Sequence, residues 1–510
     1  KTDVEDIGLL KLDVLGIRMQ SSMAHAVDEV ERTTGERIDL DALAPFDDES
    51  VYEMIGRAET LGCFQIESPG QRELVGKFGP RDFTDIVIDI SLFRPGPVKS
   101  EMVTPFLSAR NGWDVPRYLH PDLIPALAET AGVVVFHEQV IKIVSIMTGC
   151  SYAYGDEARR ALGSEAGQED VRRWFVPTAL GRGYDPQTVE VVWGVLKSFA
   201  SFGFCKAHAA AFALPTYQSA WLKRHHPAAF LSGVLTHDPG MYPKRLILEE
   251  ARRLGIPILP LDVNRSMPDY RIEPVTERAT APLEQRSASA WPEEKTESAG
   301  GAIDGYGIRL SLSDVRGITD AESERIVAGR PYLGLIDFWT RAAPASDLAE
   351  RLVLAGAFDD LYGIGEARSI GRRGVVTRRD LLLCLADLVR ASRVDARATG
   401  RARGLASAGA AGRQAVQLAL ELGPPPSDRQ GGAPEAAFAA ERGLDLHVDV
   451  SAGGLDEGRV DGHVRERPGD VVVTGLPEMT ADERMAAELD IIGLDATRHV
   501  LSDHLPFLRS

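Results

Sequence analysis

Cysteine is scarce in this chain of 510 residues: Cys63, Cys150, Cys205 and Cys384 lie far apart and form no CxxC pair. That spacing indicates neither a zinc knuckle nor a disulfide framework, and it fits a reducing cytosol, the expected setting. No run of about 18 apolar residues occurs, and Lys1 opens a charged stretch instead of a signal peptide, so no membrane role is expected. A Ser-His-Asp order, an HExxH helix and a P-loop are also missing, which disfavours a hydrolase. Positive charge is in deficit, with a net charge of −18 at pH 7. Taken as a sum, that argues against nucleic acid, because phosphate contacts need Lys and Arg. Binding depends on local patches, however, and the basic residues cluster: Arg159–Arg160, Arg172–Arg173, Lys223 to His226, Lys244–Arg245, Arg252–Arg253, and an Arg-rich run from Arg368 to Arg413.

What the chain does have is enough apolar residue, 44%, to fill the cores of several domains. The pattern predicts a multidomain, mainly α protein with minor β. Met23, Val27 and Val30 recur at helical spacing in a helix from about Gln20 to Thr33, which Gly35 stops. Further helices are predicted near Glu138–Met147, Pro186–Phe199, Ala209–His225, Pro243–Leu254 and Arg379–Ala391. Strands are expected at Ile256–Leu259, Tyr270–Pro274, Gly305–Leu312 and Val471–Thr474, and Thr480 to Glu483 reads as a capping box. From about Thr276 to Gly301 periodicity is lost in a run rich in Glu, Ala and Ser, and the stretch Gly363 to about Gly443 is too dense in Gly, Ala, Arg and Pro to be packed throughout.

Chemistry concentrates in short blocks. In GLLKLDVLG, Gly8 to Gly16, Asp13 sits in an apolar, strand-like run, where an ionised carboxylate is costly unless it meets a cation or a donor. A divalent metal would satisfy it; so would a role as cap of the helix starting near Leu15. Lys11 shares a strand face with Asp13 and could meet a triphosphate or pair with Asp13 itself. Arg159 and Arg160, in DEARRALG after a turn at Tyr154–Gly155, suit phosphate oxygens, because guanidinium groups stay charged and bind them bidentately. Lys206 and His208, in GFCKAHAAAF, precede a helix whose free N–H groups favour an anion: a template or nucleotide phosphate, or else an N-cap network. In FRPGP, two prolines rigidify a turn that presents Arg94.

KLDVLG and five later blocks follow one another in order: GCFQIESPGQ, LFRPGP, VVFHEQV, DEARRALG and FASFGFCKAHAAAFALPTYQSAWLKRHHP. The series resembles the bacterial replicative DNA polymerases of family C, the alpha subunit of DNA polymerase III. The segment from Asp238 to Asn264 is most similar to the error-prone paralogue used in damage-induced synthesis. The stretch Leu310 to Gly329 resembles a helix-hairpin-helix, with Gly317 and Ile318 at the hairpin. Thr319 stands where that motif usually has a second glycine, which predicts a distorted hairpin and a weaker DNA contact; a purely structural hairpin is the other reading.

The resemblance implies a DNA-directed DNA polymerase in which Asp13 is a catalytic, Mg²⁺-binding carboxylate. It gives Arg159 and Arg160 to the deoxynucleoside triphosphate, where the strand reading adds Lys11; the local readings give Arg94, Lys206 and His208, and the hairpin resemblance Gly317 and Ile318, to primer-template DNA. Phe64, Gln65, Glu138 and Gln139 fall in matching blocks, where packing and contact are not separable by sequence. The implied organisation is a palm edge at 1–16, fingers at 17–272, a strand pair with an inserted flexible loop at 273–312, a helix-hairpin-helix domain at 313–362, a linker at 363–443 and a connector at 444–510. Sliding clamp and damage-response replication proteins are expected as partners through regions not on this chain. Two further palm acids of a Pro-Asp-x-Asp strand are expected upstream of Lys1, so the chain reads as a portion of a longer polypeptide that alone incorporates no nucleotide. A catalytically inactive DNA-binding or scaffold protein with the same fingers is the alternative.

Overall fold

The computed structural model describes residues 4, 7–9, 16–93, 103–199, 204–275, 305–365, 375–393 and 471–495. Two compact units are present. One comprises 1–332 with 347–358 and 479–510; the other comprises 333–346 with 359–478.

Helices dominate the first unit. They are α1 Arg18–Thr34, α2 Glu49–Gly56, α3 Pro69–Phe78, α4 Phe83–Leu92, α5 Val103–Arg110, α6 His137–Thr148, α7 Tyr152–Ala161, α8 Glu165–Gly181, α9 Pro186–Phe199, α10 Lys206–His225, α11 Pro227–His237 and α12 Lys244–Arg253. Local chemistry sets many of the ends. Gly35 closes α1 in the left-handed region at φ 75°, and the side chains of Asp48, Ser68, Asp82 and Ser151 accept N–H bonds at the starts of α2, α3, α4 and α7.

The helices bury two apolar clusters. The first gathers α2, α3, α4 and α5 around Tyr217 and its neighbours on α10. The second joins α6, α8 and α9 through Ile143, Val144, Phe175, Trp193 and Phe199, with Leu123 and Leu127 beneath them. At the junction Phe136 and Phe204 form a parallel β-bridge, with His137 N–H donating to the Phe204 carbonyl at 2.9 Å. The bridge therefore brings the starts of α6 and α10 together.

A three-stranded sheet follows in the order β1–β3–β2, from β1 Ile258–Leu259, β2 Arg271–Pro274 and β3 Tyr306–Arg309. β3 lies parallel to β1 and antiparallel to β2, and Glu29 of α1 takes the Ile272 N–H at 2.8 Å, tying the sheet to the helices. Beyond it, the 3₁₀ turn Leu312–Asp314 leads into α13 Asp320–Ala328; α14 Leu335–Ala342, α15 Ser346–Leu354 and, at the far end, α16 Ala481–Ile491 complete the long helices bounded wholly within the described residues.

Three expectations change here. Tyr154–Gly155 is no turn but lies inside α7. Gly155 is there for close approach, since a Cβ would stand 3.1 Å from the Ile141 carbonyl of α6. Val471–Thr474 forms no strand: Thr474 N–H bonds the Asp380 side chain at 3.1 Å instead of a neighbouring strand. Thr319 does not distort the hairpin, because it sits at φ −102°, ψ 156° as the N-cap of α13, a conformation that suits Thr. Leu9 to Leu15 lie partly, and Arg94, the 276–304 loop and most of the 363–443 stretch wholly, outside the described residues.

Candidate nucleotide and nucleic-acid site

Arg159 and Arg160 occupy the last turn of α7, where the helix dipole favours cations. Both turn their guanidinium edges onto one carboxylate. Arg159 donates from Nε and Nη2 to Asp156 Oδ1 at 2.9 and 2.8 Å, and Arg160 donates likewise to Oδ2 at 2.9 and 2.8 Å. Asp156 sits three and four residues before its partners, the spacing at which helical side chains meet. Hydrogen bonds from Arg159 and Arg160 hold its carboxyl below the usual carboxylate range. Pairs this exposed add little stability; the consequence is orientation. One carboxylate fixes two guanidiniums side by side, and Arg160, 73% exposed against 22% for Arg159, is the more open to an anion. Ser164, which follows the block, caps α8 by accepting Gly167 N–H at 3.1 Å.

The start of α10 is built differently. Glu138, one residue into α6, reaches across and takes Lys206 N–H with both carboxylate oxygens, at 3.1 and 3.0 Å, while Cys205 Sγ lies 3.6 Å from the same carboxylate. The Lys206 ammonium pairs with Glu129 and stands over the Phe136 ring at 5.5 Å. An N-cap network is thus what holds this helix end. Gln139 is buried and entirely structural: its Oε1 accepts from Val135 and Phe136, and its Nε2 donates to Thr130 Oγ1 at 2.7 Å.

His208 belongs to an aromatic row. Its ring lies 5.4 Å from Phe204 and 4.4 Å from Phe212, and Phe212 stacks on Phe64 at 5.7 Å. His208 is exposed and the three phenylalanines are half-buried, so the row presents ring surface to solvent. Such surfaces accept bases by stacking. Sequence reading missed the row, although the spacing of Phe204, His208 and Phe212 by four was there to be seen. It missed Asp156, Glu129 and the capping role of Glu138 as well; only Asp156 has a local signal.

At the hairpin, Gly317 has φ +81°, and Ile318 N–H donates to the Val315 carbonyl at 3.1 Å within the turn. Lys11, Asp13 and Arg94 lie outside the described residues. No group of three or more His, Cys, Asp or Glu among the described residues is placed to hold a metal ion, and no described helix is long and apolar enough to cross a membrane.

The helical region presents paired guanidiniums and an aromatic row, and a tight hairpin follows the sheet. Residues 19–182 match the family model of the bacterial DNA polymerase III alpha subunit finger domain, and residues 255–369 match that of a helix-hairpin-helix motif. Over residues 19–182 the chain is thus similar to the finger domain of the bacterial DNA polymerase III alpha subunits. It is similar to proteins named error-prone DNA polymerase. That of Symbiobacterium thermophilum is 39% identical over 372 residues, 71% of this chain and 33% of the relative. Those of Nocardia farcinica and Corynebacterium jeikeium are 35% and 34% identical over 74% of this chain, covering 31% and 33% of their own lengths. The chain spans about a third of the length of the curated relatives it matches.

Proposed function

We propose that this chain supplies incoming-nucleotide and primer-template contacts to an error-prone, DNA-directed DNA polymerase acting in damage-induced replication. The observation that carries the reading is the finger-domain match over 19–182, together with the paired guanidiniums that Asp156 holds inside it. Arg159 and Arg160 bind the triphosphate of a deoxynucleotide; His208 and the aromatic row stack on bases, with Lys206 beside them. Lys11 joins the triphosphate and Arg94 the DNA on the sequence reading alone.

Nucleotidyl transfer by polymerases uses divalent metal ions bridged by carboxylates. The described residues offer no such cradle, and Asp13, assigned to Mg²⁺ by the family pattern, lies outside them. What the described side chains do is bind and orient. Sliding clamp and damage-response proteins as partners, and a cytoplasmic setting, belong to the same proposal.

The test uses a polymerase of full family length built around this chain. Arg159→Ala or Arg160→Ala removes charge-assisted hydrogen bonds worth about 1.5–3 kcal/mol, so the nucleotide KM should rise about ten-fold or more while primer-template affinity stays nearly intact. An unchanged nucleotide dependence would make them surface residues and end the assignment.

A further inference from the structure

The hairpin between the turn Leu312–Asp314 and α13 carries five backbone N–H groups, at residues 315 to 319, of which Val315 N–H donates to the Leu312 carbonyl at 3.0 Å. Arg316 N–H donates to the Ile491 carbonyl at the end of α16, at 2.8 Å. Ile318 N–H is used within the turn, as described above. Thr319 N–H donates to a Glu322 carboxylate oxygen at 3.2 Å, and the Thr319 hydroxyl donates to the same oxygen at 2.9 Å. Of these groups, only Gly317 N–H has no partner within the described residues, and the helix turn that follows it is acidic. Asp320 and Glu322 fill the first turn of α13, and Asp490 stands 3.3 Å from the Arg316 guanidinium, both side chains largely exposed. Arg351 bonds the Arg316 carbonyl at 2.5 Å and lies 2.5 Å from where a Cβ on Gly317 would be, which closes the other side of the tip. The far end of the docked segment is held by Arg252, whose Nη2 donates to the Asp495 carbonyl at 2.6 Å.

A hairpin that binds a DNA phosphate needs free N–H donors and no negative charge beside them. Here a carboxylate already takes the Thr319 N–H, and both basic side chains of the tip are matched, Arg316 to Asp490 and Arg351 to Asp347. We infer that the hairpin docks the chain's own segment 490–495 and is closed to DNA phosphate by Glu322 and Asp490. The DNA contacts of this chain then come from the fingers. This step goes beyond the function proposed above and leans on it only for DNA as the ligand.

The test compares duplex DNA binding by the whole chain and by Glu322→Gln, Asp490→Asn and the double variant, with the exposed Glu324→Gln as a control for general charge. Gln at position 322 keeps the capping box, so α13 still starts in place. The double variant should bind about three-fold or more tighter than the control at low salt, and its salt slope should steepen by about one, as one new phosphate contact requires. DNA should slow amide exchange at 316–319 in the double variant and leave it unchanged in the native chain. Equal binding by the double variant and the control, or slowed exchange at 316–319 in the native chain, would overturn the inference. If the native chain binds no DNA, the fingers reading fails, and the hairpin inference is still decided by whether the double variant gains binding.

Discussion

Lys223 shows how one buried side chain places the aromatic row. Its ammonium is 1% exposed and donates to the Leu61 carbonyl at 2.8 Å and to Glu250 at 2.7 Å, so it ties the loop that carries Phe64 to α10, which carries Phe212. Glu250 also accepts two hydrogen bonds from Arg253, both at 2.9 Å. Burial alone would push the Glu250 carboxyl up; Arg253 and Lys223 overcome it and bring it down to about 2. A folded value below the ordinary 4.5 means that the stabilisation is complete above about pH 5 and is lost as pH falls towards 2. Lys223→Met should therefore cost about 3 kcal/mol in denaturant unfolding at pH 7, because it strands most of a buried charge. The gap from the native chain should narrow at pH 3; an equal gap at both values would refute the linkage. Sequence alone places Lys223 only in a basic run, since nothing local to it shows that Glu250, 27 residues on, closes the pair.

Between elements, α1 and α11 approach closely where Gly233 faces the Ser22 backbone. A Cβ there would lie 2.2 Å from the Ser22 carbonyl oxygen, which cannot swing away as a side chain can. Gly233→Ala should cost about 1–3 kcal/mol by overpacking, with the melting temperature falling and the circular dichroism shape retained; an unchanged melting temperature would mean the helices are not in contact there. Periodicity makes the helices themselves legible: the pattern places α1 within two residues of its observed start and α9 at its observed bounds. Glycine is where it fails. Gly35 does stop a helix, but Gly155 lies inside one for the sake of packing, and only the partner helix distinguishes the two roles. The run Val471–Thr474 fails for a related reason: β-branched residues favour extended backbone, but a strand also needs a neighbour, and the Thr474 N–H goes to Asp380. Of the candidate site, the arginine pair is legible because its signal is local; the Glu138 cap is not, since it joins residues 68 apart.

For the whole molecule, a net charge of −18 and the proposed DNA-binding role pull in opposite directions. Much of the basic charge is already spent inside the protein: Arg172 pairs with Glu190, Arg173 with Asp170, Lys206 with Glu129 and Lys244 with Asp314. Each must exchange a carboxylate for a phosphate before it contributes, so the gain per contact is small, and acidic regions repel the duplex at longer range. Binding of primer-template DNA by this chain should therefore be weak and without sequence preference. It should also be steeply salt-dependent, since the phosphate contacts that remain release counterions; six such contacts would lower affinity about 10³-fold between 50 and 200 mM salt. Because screening relieves the acidic repulsion over the same range, the observed slope should fall short of the number of basic residues on the binding face. Fluorescence anisotropy across that range measures it, with a scrambled template as control. A flat salt response, or a preference for one sequence, would mean that base-edge or apolar contacts dominate and that the fingers surface is not the electrostatic platform described.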